Sequence, residues 1–258
     1  MDRRAVLGGF VGLLVAAGPV GAGGDPAVVA AASDLRFALE EIAARFTART
    51  GQRLRLVFGS TGNIARQILA GAPFALFMAA DEAHALRVVE AGLARDAGRL
   101  YALGRIAIAV PAGRGVLRAD GSLGDLRAAL SAGRVRRFAI ANPEHAPYGM
   151  RAREALEHAG LWAAIRPFLV LGENVSQAAQ FALSGNADGG IIAWSLALSP
   201  QLSGRGRFAL IPEEWHRPLR QRMVLMKDAG PAARGFYDFL ATPEARGILA
   251  RHGFGLPE

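Results

Sequence analysis

The sequence predicts an α/β fold built on largely parallel sheets. Short apolar runs typical of buried strands alternate with segments in which apolar residues recur every three or four positions, as on one face of a helix. Strands that alternate with helices at this spacing favour parallel pairing. Glycine closes the first three predicted helices, at Gly51, Gly71 and Gly92, which sets their lengths.

Two similar strand-to-helix turns occupy the first part of the chain. An apolar run at residues 28–32 ends at Ser33, and a second run at 54–58 leads into the turn 59–62. The carboxyl ends of neighbouring parallel strands lie at one edge of a sheet, where ligands of such folds bind. We therefore expect Ser33 and Ser60 to be neighbours in space.

The rest of the chain continues the alternation. The remaining predicted strands are residues 74–78, 105–110, 138–141, 168–171, 189–193, 207–211 and 222–226. The predicted helices are residues 35–50, 64–69, 81–91, 126–130, 150–158, 176–183, 231–240 and a last one that begins after Thr242. Further strand-to-helix turns at Tyr148 and Val175 bring the number of helix starts with this pattern to four.

Helix starts of this kind favour an anion as ligand. Each one presents free backbone N–H groups and the positive end of the helix dipole. Charge-assisted hydrogen bonds contribute about 1.5–3 kcal/mol each, so several together can offset the dehydration of a dianion. For Ser60 the simpler alternative is that its hydroxyl caps the helix that follows.

A site made of donors also selects among anions. A fully deprotonated tetrahedral anion presents only acceptors, whereas phosphate near neutral pH keeps a proton that would find no acceptor. Asp34 stands beside Ser33, and its carboxylate would repel an anion. We therefore expect Asp34 to turn away and cap its own helix, offering only its N–H.

Composition and motifs exclude several other classes of protein. The chain of 258 residues is 52% hydrophobic and 20% charged, which predicts a globular protein with a large core. It has no cysteine, so disulfides and thiol catalysis are excluded. Histidine pairs with metal-ligand spacing, a nucleophile elbow and a phosphate-binding loop motif are all missing. We expect no catalytic residues, no metal site, and surface positions for the five histidines.

The net charge of +8 is scattered along the chain and is not interleaved with aromatic residues, so we expect no nucleic-acid partner. The first 22 residues have the order of a secretory signal: Arg3 and Arg4, an apolar run at 5–20, then small residues. We expect residues 1–22 to be cleaved. An uncleaved anchor is the alternative, but the run is short for a span of about 20 residues.

Six segments, in this order along the chain, resemble the molybdate-binding proteins that serve ABC importers. They are residues 30–35 (AAASDL), 58–62 (FGSTG), 71–74 (GAPF), 146–149 (APYG), 173–178 (ENVSQA) and 235–240 (GFYDFL). The resemblance runs from about residue 27 to the C-terminus. It implies a two-lobed periplasmic binding protein fold of type II, in which each lobe is a mostly parallel sheet flanked by helices and the ligand cleft lies between the lobes. The implied lobes are residues 27–104 plus 200–258, and residues 105–199.

The resemblance also implies the ligand-binding residues. Ser33 and Ser60 would offer hydroxyl and backbone donors from one lobe, and Val175 a backbone N–H from the other. Many relatives carry a ligand-binding tyrosine where this chain has Ala193. We hypothesise that Tyr148 supplies the missing hydroxyl; the alternative is that Tyr148 is only a packed aromatic of its loop.

The function implied is periplasmic capture of molybdate, and also tungstate, for delivery to an inner-membrane ABC permease. The protein would act as a monomer without a cofactor, holding molybdenum as the oxyanion and not through direct metal ligands. The alternatives are a binding protein for another tetrahedral oxyanion such as sulfate, a secreted enzyme on the same fold, or a sensor module.

Overall fold

The computed structural model describes residues 25–113 and 115–257. The predicted secretory signal, residues 1–22, lies outside these ranges. Within them the chain forms two five-stranded sheets flanked by helices, which confirms the predicted two-lobed α/β architecture. None of the helices in these ranges combines the length and the apolar character needed to cross a bilayer.

The strands of the described residues are β1 (Ala27–Ala32), β2 (Leu54–Gly59), β3 (Leu76–Ala79), β4 (Arg99–Gly104), β5 (Ile106–Pro111), β6 (Phe138–Ala141), β7 (Leu169–Gly172), β8 (Gly189–Ala193), β9 (Gly206–Leu210) and β10 (Leu219–Leu225). The helices are α1 (Arg36–Thr50), α2 (Thr61–Leu69), α3 (Glu82–Glu90), α4 (Gly124–Ser131), α5 (Pro147–His158), α6 (Trp162–Ile165), α7 (Val175–Leu183), α8 (Trp194–Ala197), α9 (Pro231–Phe239) and α10 (Pro243–Arg251). A single 3-10 turn, Ser33–Leu35, joins β1 to α1.

The two sheets have the same plan. The first has the order β2-β1-β3-β10-β4, and the second has the order β7-β6-β8-β5-β9. In each sheet three neighbouring strands are parallel, and the strand that follows them runs antiparallel. The first lobe is formed by residues 25–104 and 219–257, and the second lobe by residues 106–210.

The register of β1 against β2 places two predicted site residues together. Ala32 lies opposite Gly59 in this parallel pair, so Ser33 and Ser60 leave adjacent strands at the same edge of the sheet. The equivalent edge of the second sheet carries the starts of α5 and α7. The expectation that Ser33 and Ser60 are neighbours is confirmed.

Each lobe has its own apolar core. In the first lobe, Phe46 of α1 contacts Phe236 of α9 with ring centroids 5.2 Å apart on one face of the sheet, and Ile64 and Val88 pack on the other. The core of the second lobe surrounds Ile108 and Phe138. Rigid cores of this kind let the lobes carry helix starts to the cleft in fixed positions.

Three local predictions differ from the structure. Residues 200–210 were assigned to the first lobe, but β9 pairs with β5 in the second sheet, so the chain returns only between β9 and β10. Strand β4 was missed, because its pairing with β10 joins segments more than a hundred residues apart. Helix α5 begins at Pro147 and not at 150, since proline fits the first turn of a helix.

Candidate functional site

The four predicted helix starts meet at one small cavity between the lobes. The space between the protein atoms there, including the mouth, is about 190 Å³. The lining residues are Ala32, Ser33, Asp34, Gly59, Ser60, Thr61, Ala80, Ala146, Pro147, Tyr148, Asn174 and Val175. All four predicted ligand-binding residues, Ser33, Ser60, Tyr148 and Val175, are among them. None of these lining residues is lysine or arginine, so the positive groups of the cavity wall are the backbone dipoles at the helix starts.

Ser60 directs its hydroxyl across the cleft. It occupies the N-cap position of α2 but makes no side-chain cap. Its Oγ lies 2.8 Å from the backbone oxygen of His145 and 2.8 Å from Nδ1 of the same residue. The N–H of Gly62 donates to the same carbonyl at 3.0 Å. The simple capping alternative for Ser60 therefore does not describe this structure.

Ser33 joins the end of β1 to the start of α7. The N–H of Ser176 donates to Ser33 Oγ at 3.3 Å, and the hydroxyl of Ser176 donates to the backbone oxygen of Ser33 at 2.9 Å. This reciprocal pair holds one lobe against the other beside the cavity.

Val175 is the first residue of α7. Asn174 caps this helix by accepting from the N–H of Gln177 at 3.1 Å, and the N–H of Ser176 is bonded to Ser33. The N–H of Val175 has no acceptor within the helix, because first-turn donors never do. It is thus a backbone donor at the cavity wall.

Tyr148 and Asp34 contact each other across the cleft. The Tyr148 hydroxyl donates to Asp34 Oδ2 at 2.9 Å, and Gln221 Nε2 donates to the same oxygen at 2.7 Å. Neither the 3-10 turn nor α1 has a side-chain cap, so the prediction that Asp34 caps its own helix is wrong. The reason is burial: a carboxylate that is 2% exposed needs donors, and the nearest ones come from α5 and β10.

Burial also changes the acidity of this pair. Desolvation raises the pKa of Asp34 to about 6, although the hydrogen bonds from Gln221 and Tyr148 oppose the rise. Desolvation, together with the charge of Asp34, raises the pKa of Tyr148 well above its usual value. Tyr148 therefore stays protonated and acts as a donor.

Three residues of this region were not singled out from the sequence: His145, Glu173 and Gln221. His145 was expected at the surface, yet its side chain is 12% exposed, and its Nε2 lies 3.7 Å from Glu173 Oε2. Asn63 Nδ2 of the first lobe donates to Glu173 Oε1. His216 is also buried, contrary to expectation. The two prolines around His145 predicted a rigid loop from the local sequence. The contact of His145 with Ser60 joins residues 85 positions apart, so the local sequence did not predict it.

The described residues hold no group of three or more histidine, aspartate and glutamate side chains able to bind a metal ion. Besides the carboxylate of Asp34, which accepts from Tyr148 and Gln221, the cavity offers the hydroxyls of two serines, Thr61 and Tyr148 together with first-turn N–H groups. Such a set matches an acceptor-rich anion of small size and not a bare cation.

Comparison with known proteins agrees with this geometry. A family model described as bacterial extracellular solute-binding protein matches residues 27–255. The molybdate-binding protein ModA of Rhodobacter capsulatus is 33% identical over 230 residues, which is 88% of this chain and 87% of that protein. ModA of Escherichia coli K12 is 31% identical over 227 residues, with 88% and 87% covered.

Solved structures show the same fold. The periplasmic molybdate-binding protein of Azotobacter vinelandii superposes with a TM-score of 0.80 at 27% identity, covering 90% of this chain and 100% of that one. The sulfate-binding protein SubI of Mycobacterium tuberculosis has a TM-score of 0.73 at 15% identity, covering 89% and 86%, and shares the fold. The chain belongs to the bacterial extracellular solute-binding protein family, and relatives named as molybdate-binding proteins match it over most of its length.

Proposed function

We propose that this protein captures molybdate in the periplasm and delivers it to an ABC importer. The observation that carries the proposal is the convergence of four helix starts, two from each lobe, on one cavity whose described lining contains no cationic side chain. The names of its relatives support molybdate as the ligand.

The donors would come from both lobes. Ser33 and Ser60 would give hydroxyl and backbone donors, and Val175 a backbone N–H. Each serine hydroxyl rotates about one bond, so it can exchange its present partner across the cleft for an oxygen of the anion. Tyr148 would add a phenol hydroxyl where Ala193 provides none. These groups would contact oxygens, so molybdenum would have no direct protein ligand.

Closure of the lobes would exclude water from the anion. Dipolar donors gain strength in a water-excluded site, and fixed backbone dipoles need no reorganisation to receive the charge. The chain passes between the lobes twice, at Arg105 and at residues 211–218. Opening of the lobes about these two segments would let the anion enter and leave. This is the clamp-like motion expected of two rigid lobes joined by short segments.

The protein would act as a binding protein and not as an enzyme. It would work as a monomer, reach the periplasm through its N-terminal signal, need no cofactor, and engage an inner-membrane permease. The binding role rests on the family to which the chain belongs, and export rests on the charged, apolar and small residues that follow one another in positions 1–22.

Titration calorimetry on the chain without residues 1–22 tests the proposal. The panel is molybdate, tungstate, sulfate and phosphate. Molybdate should bind far more tightly than sulfate, because sulfate is smaller and leaves donors of the closed site unsatisfied. Tungstate, with the same charge and shape as molybdate, should bind comparably. Sulfate binding as tight as molybdate, or tighter, would contradict the assignment.

A further inference from the structure

Asp34, Tyr148 and Gln221 form a closed cluster behind the cavity. Their exposed fractions are 2%, 4% and 0%. Besides the two bonds to Asp34 Oδ2, Gln221 Nε2 lies 3.2 Å from the Tyr148 hydroxyl. Asp34 and Tyr148 also line the cavity itself. The cluster is therefore in contact with the place where an anion would sit.

The cluster has fewer donors than its buried acceptors require. Asp34 Oδ1 and Gln221 Oε1 are both buried without a hydrogen-bond partner. Buried acceptors of this kind are rare in folded proteins because each one loses its hydration without compensation. One additional proton on the carboxylate would remove its charge, which lowers the cost of leaving Oδ1 without a donor, and would add an O–H donor to the cluster.

An incoming dianion also favours protonation of Asp34. A buried carboxylate in the cavity wall would repel it, and little solvent remains there to screen the repulsion. Protonation of the carboxylate removes that repulsion.

We propose that capture of the anion is coupled to the uptake of one proton from solvent, which Asp34 binds. The inference rests on the proposed function. The step converts the carboxylate of Asp34 into a neutral carboxylic acid, so the closed complex carries one negative charge fewer than its separate parts.

Protonation of Asp34 would also free the hydroxyl of Tyr148 to bind the anion. A phenol has one proton, and in this structure Tyr148 donates it to Asp34. Once Asp34 is neutral, its own O–H donates to the Tyr148 oxygen, and the phenol proton is free to point at the anion. Gln221 keeps its contact with the phenol oxygen throughout. Proton uptake thus converts Tyr148 from a donor to Asp34 into a donor to the ligand.

The other groups that face Asp34 do not compete for this proton. From β4, Tyr101 has its pKa raised well above the usual value by burial, with added effects of Asp34 and Asp81, so it stays neutral. From α5, Tyr148 behaves likewise, and from α8 Ser195 only donates to the Asp34 backbone oxygen. Burial raises the pKa of Asp34 itself to about 6. The imidazole of His145 contacts Ser60 across the cavity, so a variant without it is the control for where the proton binds.

Calorimetry of sodium molybdate binding in two buffers of different ionisation enthalpy, both at about pH 7.5, counts the protons taken up. We expect close to one proton per anion for the unmodified chain and close to none for Asp34→Asn. The affinity of the unmodified chain should fall about tenfold per pH unit above neutrality, while that of Asp34→Asn stays constant. A His145→Ala variant should still take up close to one proton, and it serves as the second variant if Asp34→Asn does not fold.

Molybdate binding without proton uptake would overturn this inference and leave the proposed function intact. Equal uptake in the unmodified chain and in Asp34→Asn, or loss of uptake in His145→Ala, would show that a residue other than Asp34 binds the proton. Either result would also overturn the inference. If the unmodified chain binds no molybdate in either buffer, both the proposed function and the inference fail.

Discussion

The hydroxyl of Ser60 lies 2.8 Å from the backbone oxygen of His145, a residue 85 positions later in the chain, and so joins the two lobes directly. Ser33 makes the corresponding contact with Ser176. The groups proposed to hold the anion are therefore also groups that hold the lobes together. Substitutions in the site should affect ligand affinity and closure at the same time.

Removing the hydroxyl of Ser60 should weaken molybdate binding. Ser60→Ala loses one charge-assisted hydrogen bond, worth about 1.5–3 kcal/mol, which corresponds to roughly 10- to 100-fold in Kd. Calorimetry measures the loss. The matched control is Ser203→Ala on the exposed surface, which should bind as the unmodified chain does. Equal molybdate affinities for the two variants would show that the Ser60 hydroxyl does not contact the anion.

Removing the hydroxyl of Tyr148 should also weaken binding by about tenfold or more, if that hydroxyl reaches the anion. Tyr237→Phe is a close control, because Tyr237 is buried in α9 of the first lobe and its hydroxyl has no hydrogen-bond partner. The control should keep full affinity and lose no stability. Unchanged affinity of Tyr148→Phe would leave Tyr148 as a packed aromatic of its loop.

A methyl group at Gly62 should obstruct closure. A Cβ there would lie 2.5 Å from the backbone oxygen of His145, far inside van der Waals contact. Gly62→Ala should therefore bind molybdate about tenfold more weakly or worse, since its closed state is strained. At Gly235, also helical, the nearest atom to such a Cβ is 3.6 Å away. Gly235→Ala should keep full affinity and gain slightly in helix stability.

The measurement for this pair is calorimetric affinity together with the unfolding temperature of each ligand-free variant. Gly62→Ala should lose affinity without a large loss of thermal stability, because the obstructing His145 carbonyl belongs to the other lobe, while His84 Nε2 of the same lobe, 3.1 Å away, ends a side chain that can shift. A matching loss of affinity in Gly235→Ala would show that the effect does not come from the cleft.

The stability of the ligand-free protein should depend on pH through Asp34. Its pKa is raised in the folded state to about 6 from 3.8. Its stabilising contribution is therefore fully present below about pH 4 and is lost as pH rises through about 6. Relative to the unmodified chain, Asp34→Asn should gain about 3 kcal/mol between these limits.

Urea unfolding of both chains at several pH values between about 4 and 8 measures this difference. Other groups, such as Glu82 with its lowered pKa, contribute equally to both chains and cancel in the comparison. A stability difference that does not change with pH would show that Asp34 keeps an ordinary acidity in the folded protein.

The sequence alone determined most of the strands and helices in their order, the four helix starts, and the proximity of Ser33 to Ser60. These features depend on local patterns: apolar periodicity marks the elements, and the carboxyl ends of parallel strands share an edge. The family resemblance supplied the two-lobed arrangement with a cleft between the lobes, and with it the expectation that Tyr148 and Val175 belong to the same site as the two serines.

Only the tertiary structure decided where the polar side chains point. Asp34 meets Tyr148, 114 positions away, and Gln221, 187 positions away. Ser60 crosses the cleft where it could have capped its own helix. The reason is physical: a local hydrogen bond and a distant one have similar strength, so the choice between them depends on which groups the packing of both lobes buries together.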